Sequence, residues 1–278
     1  MTEGSLAQKL QAVQETLQGF DEVIVAYSGG VDSTLLAALA RDSLGRERVL
    51  AVTADSPSLA REDLADAVQT AQRLNLAHLV VQTHELSDPT YQANTPARCY
   101  ACKHELFRSL EILAKARGIP VILYGAIGDD QLAERPGQQA ALQHHVRAPL
   151  QEAGFSKSDV RELARRFGLP NWDRPQNACL ASRIPHGREV TEEVLRQVEA
   201  AEAFLRRQGF RQVRVRHLGA SARIEVEARD IARFEEGGLR RAVVDVFGQL
   251  GFSSVTVDRT GYRSGGADHH PEDLLPLR

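Results

Sequence analysis

Val23-Ile24-Val25-Ala26-Tyr27-Ser28-Gly29-Gly30-Val31-Asp32-Ser33 decides the fold of this 278-residue chain. Its first five residues form a compact apolar run without polar alternation, as expected of a strand buried on both faces of a parallel sheet. The glycine pair ends the run, and Thr34 to Ser43 resumes as an apolar helix. Gly29 and Gly30 permit positive φ and let an anion approach the backbone closely. The helix that starts near Ser33 turns unpaired N–H groups and its positive dipole end toward that anion. Ser28 and Ser33 add hydroxyl donors, and Asp32 either orients the loop or holds Mg²⁺ on a bound phosphate. No lysine follows the glycines, so the loop is not a Walker A motif.

Outward from this loop, strands and helices alternate. Leu6 to Leu17 has helical apolar spacing. Val49 to Thr53, His78 to Val81 and Val121 to Tyr124 read as further buried strands. Glu62 to Leu74 and Glu105 to Arg117 read as helices between them. This grammar predicts an α/β fold, a doubly wound parallel sheet with ligands at the carboxyl ends of its strands. Asp55, just past the second strand, is a candidate for the nucleotide pocket and equally a surface loop carboxylate.

The grammar changes after Leu169. Pro170 to Arg188 reads as a long ordered loop. Thr191 to Gln208 reads as a helix capped by Thr191. Gln212 to His217 and Ala222 to Glu227 read as a hairpin about Gly219-Ala220-Ser221. A helix over Leu239 to Leu250 and a strand at Ser254 to Val257 complete a smaller C-terminal α+β domain, and residues from Gly261 on read as a tail. The expected domains are 1–185 and 186–278.

Composition narrows the function. Hydrophobic residues make up 42% and charged residues 26%, enough for a real core, and the formal net charge is −3. That balance opposes a long nucleic-acid groove, which needs clustered Lys and Arg. No apolar run reaches the roughly 18–20 residues of a membrane span, and Met1 to Lys9 has no signal-like apolar core. The chain is expected in the cytoplasm. Its three cysteines, Cys99, Cys102 and Cys179, are too few and too odd in number for a disulfide framework, and suggest thiol chemistry or metal binding. Cys99-Tyr100-Ala101-Cys102 opens a helix, where two thiols can converge on one ion. By itself the pair is ambiguous between zinc, redox and iron–sulfur roles.

Ser28 to Ser33 resembles the signature loop of PP-loop ATP pyrophosphatases (adenine nucleotide α-hydrolase-like), which binds the departing pyrophosphate. Several stretches together resemble one branch, the LarE-type sulfur-inserting enzymes of nickel-pincer cofactor synthesis. They are Ala51 to Ser56, Arg98 to Lys103, Gly128-Asp129-Asp130 with Arg135-Pro136-Gly137, and Val146 to Leu150. Cys179 to Pro185, Val213 to Arg216, Ala222 to Glu225 and Gly261-Tyr262-Arg263 continue the match. Where that family commonly has Asn near the Asp pair, this chain has Ile127-Gly128.

The resemblance implies that ATP, with Mg²⁺, adenylates a carboxylate of a pyridinium-dicarboxylate mononucleotide, and that sulfur then displaces the adenylate. One-cysteine members give up the thiol at the Cys179 position. Members with three cysteines at the positions of Cys99, Cys102 and Cys179 are thought to hold a 4Fe–4S cluster, whose iron lacking a protein ligand takes a sulfide. With three thiols present the cluster is the preferred reading, and a sacrificial Cys179 the alternative. A homo-oligomer is common in the family. On the first hairpin strand Gln212, Arg214 and Arg216 share one face, and Arg223, Glu225 and Glu227 share one on its partner. Arginines there would grip the mononucleotide phosphate bidentately, although the pattern also describes a solvated face with cross-strand charge pairs. Glu225 is a candidate divalent-metal ligand, and Arg183 a second phosphate or carboxylate anchor. Adjacent histidines at His144-His145 and His269-His270 read as solvent-facing.

A tRNA thiolase is the nearest rival, and the acidic balance fits tRNA poorly. An amide ligase using ammonia would need no cysteines, and a nucleotide-sensing protein would leave them free to vary.

Overall fold

The computed structural model describes residues 5–128, 136–175, 178–263, 268 and 273–277. The chain divides into two compact units, and neither is one continuous segment. The first comprises Met1–Ser56, Arg61–Glu85 and Cys99–Asn177; the second comprises Pro57–Ala60, Leu86–Arg98 and Ala178–Arg278. The main division falls at Asn177/Ala178, and two earlier segments cross into the second unit, which no single cut of the sequence reproduces.

The first unit is built on four parallel strands, β1 (Val23–Ala26), β2 (Val49–Asp55), β3 (Ala77–Gln82) and β4 (Val121–Tyr124), in the order β3-β2-β1-β4. Residues alternate between the two faces. Val23, Val25, Val49, Ala51 and Leu123 join one core with α1 (Leu6–Gln18), α2 (Val31–Leu44), α3 (Arg61–Arg73) and, further along the chain, Val160, Leu163 and Ala164. Ile24, Val52 and Ile122 face the opposite core, with Phe107, Leu110, Ala140 and Ala141. Helices on both faces make the sheet doubly wound, as the unbroken apolar runs require. Each fully buried Val, Leu or Ile contributes roughly 1.5–3 kcal/mol relative to exposure.

Between β3 and β4 lie the short α4 (Pro89–Gln92), which belongs to the second unit, and α5 (Arg98–Arg117). Helix α5 starts ahead of Glu105, and Cys99-Tyr100-Ala101-Cys102 opens it as expected. After β4 come α6 (Pro136–Gln143), α7 (Pro149–Glu152) and α8 (Lys157–Arg166). Ser156 and Asp159 close a capping box at the start of α8, satisfying backbone N–H groups that have no partner within the helix.

In the second unit, β5 (Val213–His217), β6 (Ser221–Val226), β7 (Ser254–Asp258) and β8 (Leu274–Leu277) form a mixed sheet in the order β5-β6-β7-β8. Val213, Val215, Ile224, Val226 and Val257 pack with residues of α9 (Glu192–Arg207) and α10 (Gly237–Gln249). The Thr191 side chain caps α9 by accepting from Val194 N at 3.2 Å. The segment read as a tail from Gly261 on contains β8, antiparallel to β7 with Thr256 opposite Pro276. A proline cannot donate to a ladder, so it is tolerated on this outer strand.

Candidate functional site

The glycine loop joins β1 to α2. Gly29 has φ of +72°, and a Cβ there would lie 2.7 Å from the Ala67 Cβ of α3. Only glycine fits both conditions. Gly30 is the N-cap of α2 and offers no side-chain cap. Ser33 Oγ donates to Gly30 O at 3.1 Å and accepts from Ser28 N at 3.2 Å. With that proton committed, the Ser28 hydroxyl donates to Ser33 Oγ at 3.1 Å and accepts from Gly30 N at 3.3 Å. Both hydroxyls and the Gly30 N–H are thus gathered at the positive end of α2, where an anion is favoured. At the end of β4, Gly125 lets the chain approach Ser33 N, which a Cβ would meet at 2.8 Å.

Asp32 receives Lys157 Nζ on both carboxylate oxygens, at 2.8 and 2.6 Å. Lys157, the first residue of α8, has no counterpart in the sequence reading, because 125 residues separate it from its partner. The one local signal for it is the Ser156–Asp159 capping pattern, which marks a helix start beside the lysine. Asp55, the last residue of β2, is held by Arg61 at 2.6 Å and Gln82 Nε2 at 2.8 Å, so it is a braced strand-end carboxylate. Beneath the loop, the Thr53 hydroxyl donates to Tyr27 O at 2.7 Å and accepts from His78 Nε2 at 2.8 Å. Burial holds the His78 pKa below its ordinary value, in keeping with a neutral ring protonated on Nε2. Burial also pushes the Tyr27 phenol up.

Cys99 is exposed and Cys102 half-buried, and neither takes part in a disulfide. Residues three apart in a helix are neighbours on its surface, so the pair can act together. Of the first histidine pair, His145 is exposed as expected and His144 is not. His144 is largely buried and binds Glu111 through Nδ1 at 2.8 Å and His104 through Nε2 at 2.9 Å. His269-His270, Asp129-Asp130 and Arg135 lie outside the described residues.

In the second unit, exposed Cys179 precedes the 3-10 turn Leu180–Arg183, whose carbonyls are held by three arginines. Arg183 donates to Cys179 O at 2.9 Å, Arg98 to Ala181 O at 2.8 Å and Arg216 to Ser182 O at 3.0 Å. Each arginine is anchored in turn: Arg183 on Glu202 at 2.8 and 2.9 Å, Arg216 on Glu225 at 2.9 and 2.7 Å, and Arg98 on Asn94 Oδ1. Arg183 is fully buried. Its guanidinium serves Glu202 and the carbonyls of Ala178 and Cys179.

The hairpin register sets Arg214 opposite Glu225 and Arg216 opposite Arg223. All four are nearly inaccessible, at 4, 2, 3 and 2% exposure, so the face carries charge pairs but is not solvated. Arg214 lies over the Tyr262 ring, 5.1 Å from its centroid. Its pKa is lowered to about 10 by burial and the neighbouring Arg183 charge, which still leaves it protonated at neutral pH. Glu225 gives both oxygens to Arg216, and a cation there would have to displace that guanidinium. Among the described residues no group of three or more His, Cys, Asp or Glu is placed to hold a metal ion.

A family model described as NAD synthase matches residues 5–126. The chain is 38% identical over 264 residues to the pyridinium-3,5-bisthiocarboxylic acid mononucleotide synthase of Lactiplantibacillus plantarum, covering 94% of each. It is 45% identical over 260 residues to an uncharacterised Synechocystis protein, covering 94% of this chain and 97% of the other. A tRNA-specific 2-thiouridylase of Wolbachia is 28% identical over 58% of this chain and 54% of its own length.

Proposed function

The chain belongs to the LarE-type sulfurtransferases of the PP-loop ATP pyrophosphatase superfamily, and from that premise we propose that it converts a pyridinium-3,5-dicarboxylate mononucleotide to its thiocarboxylate in nickel-pincer cofactor synthesis. A substrate carboxylate oxygen attacks the α-phosphorus of ATP, and pyrophosphate departs into the loop formed by Ser28, Gly29, Gly30 and Ser33. A sulfur nucleophile then attacks the acyl carbon, and AMP leaves. The observation that carries this reading is the pairing, in one chain, of an anion-ready loop with an exposed thiol, Cys179, on a turn clamped by three arginines. Asp32 and Lys157 flank the phosphates, with Asp32 the candidate for Mg²⁺ once Lys157 turns to the anion. Asp55 borders the nucleotide. The buried guanidiniums of Arg183, Arg214, Arg216 and Arg223 gather around Glu202 and Glu225, and guanidiniums suit the mononucleotide phosphate. Arg214 and Arg216 are its proposed contacts.

Two sulfur sources follow from the thiols. A 4Fe–4S cluster on Cys99, Cys102 and Cys179 is proposed from the family resemblance: the three thiols form no disulfide, and among the described residues they are not gathered as a metal site. These three would hold it, and the cluster would supply a sulfide on the iron lacking a protein ligand. Alternatively the Cys179 thiolate displaces AMP from the acyl-adenylate to give a thioester, and loss of the Cys179 Cα proton with cleavage of its Cβ–S bond leaves dehydroalanine on the protein and a thiocarboxylate on the product. Whole-protein mass after turnover separates the two. A loss of about 34 Da, one H₂S, marks a consumed Cys179, and an unchanged mass with bound iron marks the cluster. Pyrophosphate release dependent on tRNA, and not on the mononucleotide, would replace this reading with that of a tRNA thiolase. The enzyme is proposed to work in the cytoplasm as a homo-oligomer fed by a sulfur donor or sulfide.

A further inference from the structure

We propose that Asn171 is a positioning residue for ATP cleavage, holding the glycine loop from behind so that its N–H groups stay aimed at pyrophosphate. The inference rests on the reading of Ser28 to Ser33 as the pyrophosphate loop and adds a residue that nothing in the loop motif includes.

Asn171 lies beyond α8, in the proline-containing segment that leaves the first unit. Its amide nitrogen donates to Gly29 O at 2.9 Å and to Thr34 Oγ1 at 2.9 Å. A carbonyl oxygen only accepts, so the –NH₂ end of the amide must face the loop. Thr34 is fully buried, and its hydroxyl proton points to Tyr27 Oη. The Asn171 side chain thus ties the strand end, the loop and the first turn of α2 together. Its own Oδ1 is buried without a hydrogen-bond partner among the described residues, and the residue is 7% exposed. Leaving a buried amide oxygen unpaired costs stability, which is hard to reconcile with a residue kept for packing alone.

Peptide planarity links this contact to the ligand side. In the trans Gly29–Gly30 peptide the C=O and N–H point in opposite directions. Asn171 takes the carbonyl, and on the other side the Gly30 N–H points to Ser28 Oγ, among the hydroxyls that would meet the anion. Ala67 and Gly125 also abut the loop, but those contacts are apolar or steric and limit position only. Asn171 supplies a directional restraint, which preorganised donors require.

The test uses the whole chain and inorganic pyrophosphate with Mg²⁺, titrated calorimetrically, alongside ATP–pyrophosphate exchange with the mononucleotide substrate. Asn171→Asp keeps the shape but sets a carboxylate oxygen against Gly29 O; Asn171→Ala removes both donors and serves if the first variant does not fold. The expected result is pyrophosphate affinity weakened about tenfold and KM for ATP raised by a similar factor, with KM for the mononucleotide unchanged. A merely structural role would lower the melting temperature while the folded fraction bound pyrophosphate normally, and that outcome overturns the inference. Wild-type protein that neither binds pyrophosphate nor exchanges it overturns the loop reading itself, and this inference with it.

Discussion

Glu202 accepts both Nε and Nη2 of Arg183, and neither side chain reaches solvent. The same carboxylate receives Arg206 at 3.0 Å and Val215 N at 3.0 Å. One group on α9 thereby fixes the arginine that holds the Cys179 turn and also pins β5. Burial opposes its ionisation, yet the charge and hydrogen bonds of Arg183 outweigh that and hold its pKa below the ordinary carboxylate value.

Glu202→Gln keeps the shape and leaves Arg183 buried beside a neutral amide. Breaking a buried pair from one side costs about 3–5 kcal/mol. Urea denaturation should show a loss of that size in the second unit. A loss below about 1 kcal/mol would mean that Arg183 finds other compensation.

Gly29→Ala and Gly30→Ala should separate sharply. The first must accept a positive φ and a contact of 2.7 Å with Ala67. The second meets only the Ser28 hydroxyl, at 3.3 Å, with no unusual backbone. Exchange activity should fall at least about a hundredfold in Gly29→Ala and by less than about tenfold in Gly30→Ala. Equal losses would argue against loop geometry as the cause.

Lys157→Met removes the cation that faces Asp32. If Lys157 turns to the phosphates, ATP–pyrophosphate exchange falls about a hundredfold or more, as when one charged donor is lost from a transition state. Thermal stability should change little, because the ion pair is partly exposed, 31% and 25% at its two side chains, and such pairs contribute about 1 kcal/mol or less. Unchanged exchange would mean that Lys157 does not act on the phosphates.

Acid should weaken the fold in two stages. His78 and His217 both have pKa values lowered by burial, so below about pH 6.5 the unfolded chain binds more protons than the folded one. Stability therefore falls as pH drops from about 6.5 toward their lower folded values. Glu202 acts later, because its stabilisation is full above about pH 4.5 and is lost as pH falls through its depressed folded value. His217→Gln should flatten the first stage, as read from melting temperature against pH. An unaltered slope would remove His217 from the account.

The first unit was legible because its signals are local. Strand β1, its loop and α2 form one continuous stretch, and β4 lies where its apolar run lies. The Thr191 cap and the partition of Arg214, Arg216, Arg223 and Glu225 onto one face were legible for the same reason, since period and capping are properties of neighbouring residues. What escaped depends on distant partners. Apart from the helix start beside it, Lys157 gives no sign of its partner until the fold sets Asp32 there, and Arg183 reads as a phosphate or carboxylate anchor with no sign of its burial against Glu202. Glu202 lies among the apolar residues Ala201, Phe204 and Leu205 of α9, but only the fold shows its burial. Strand β8 was hidden by its proline. Helix α8 does carry a capping pattern and an apolar stripe, Val160, Leu163 and Ala164, so that signal was available and unread.

The segment Leu86–Arg98 has a consequence for biosynthesis. Asn94 donates to the carbonyls of Ile184 and Pro185, Gln92 O accepts from Val190 N, and Asn94 O accepts from Gly187 N. These partners leave the ribosome about 90 residues after the segment does, which at roughly 5–20 residues per second is a wait of several seconds. During that interval the Asn94 amide nitrogen lacks the two carbonyls it serves, although the first unit's sheet is already synthesised. The second unit is therefore a late clasp, closed only when the chain returns to a piece of itself made long before.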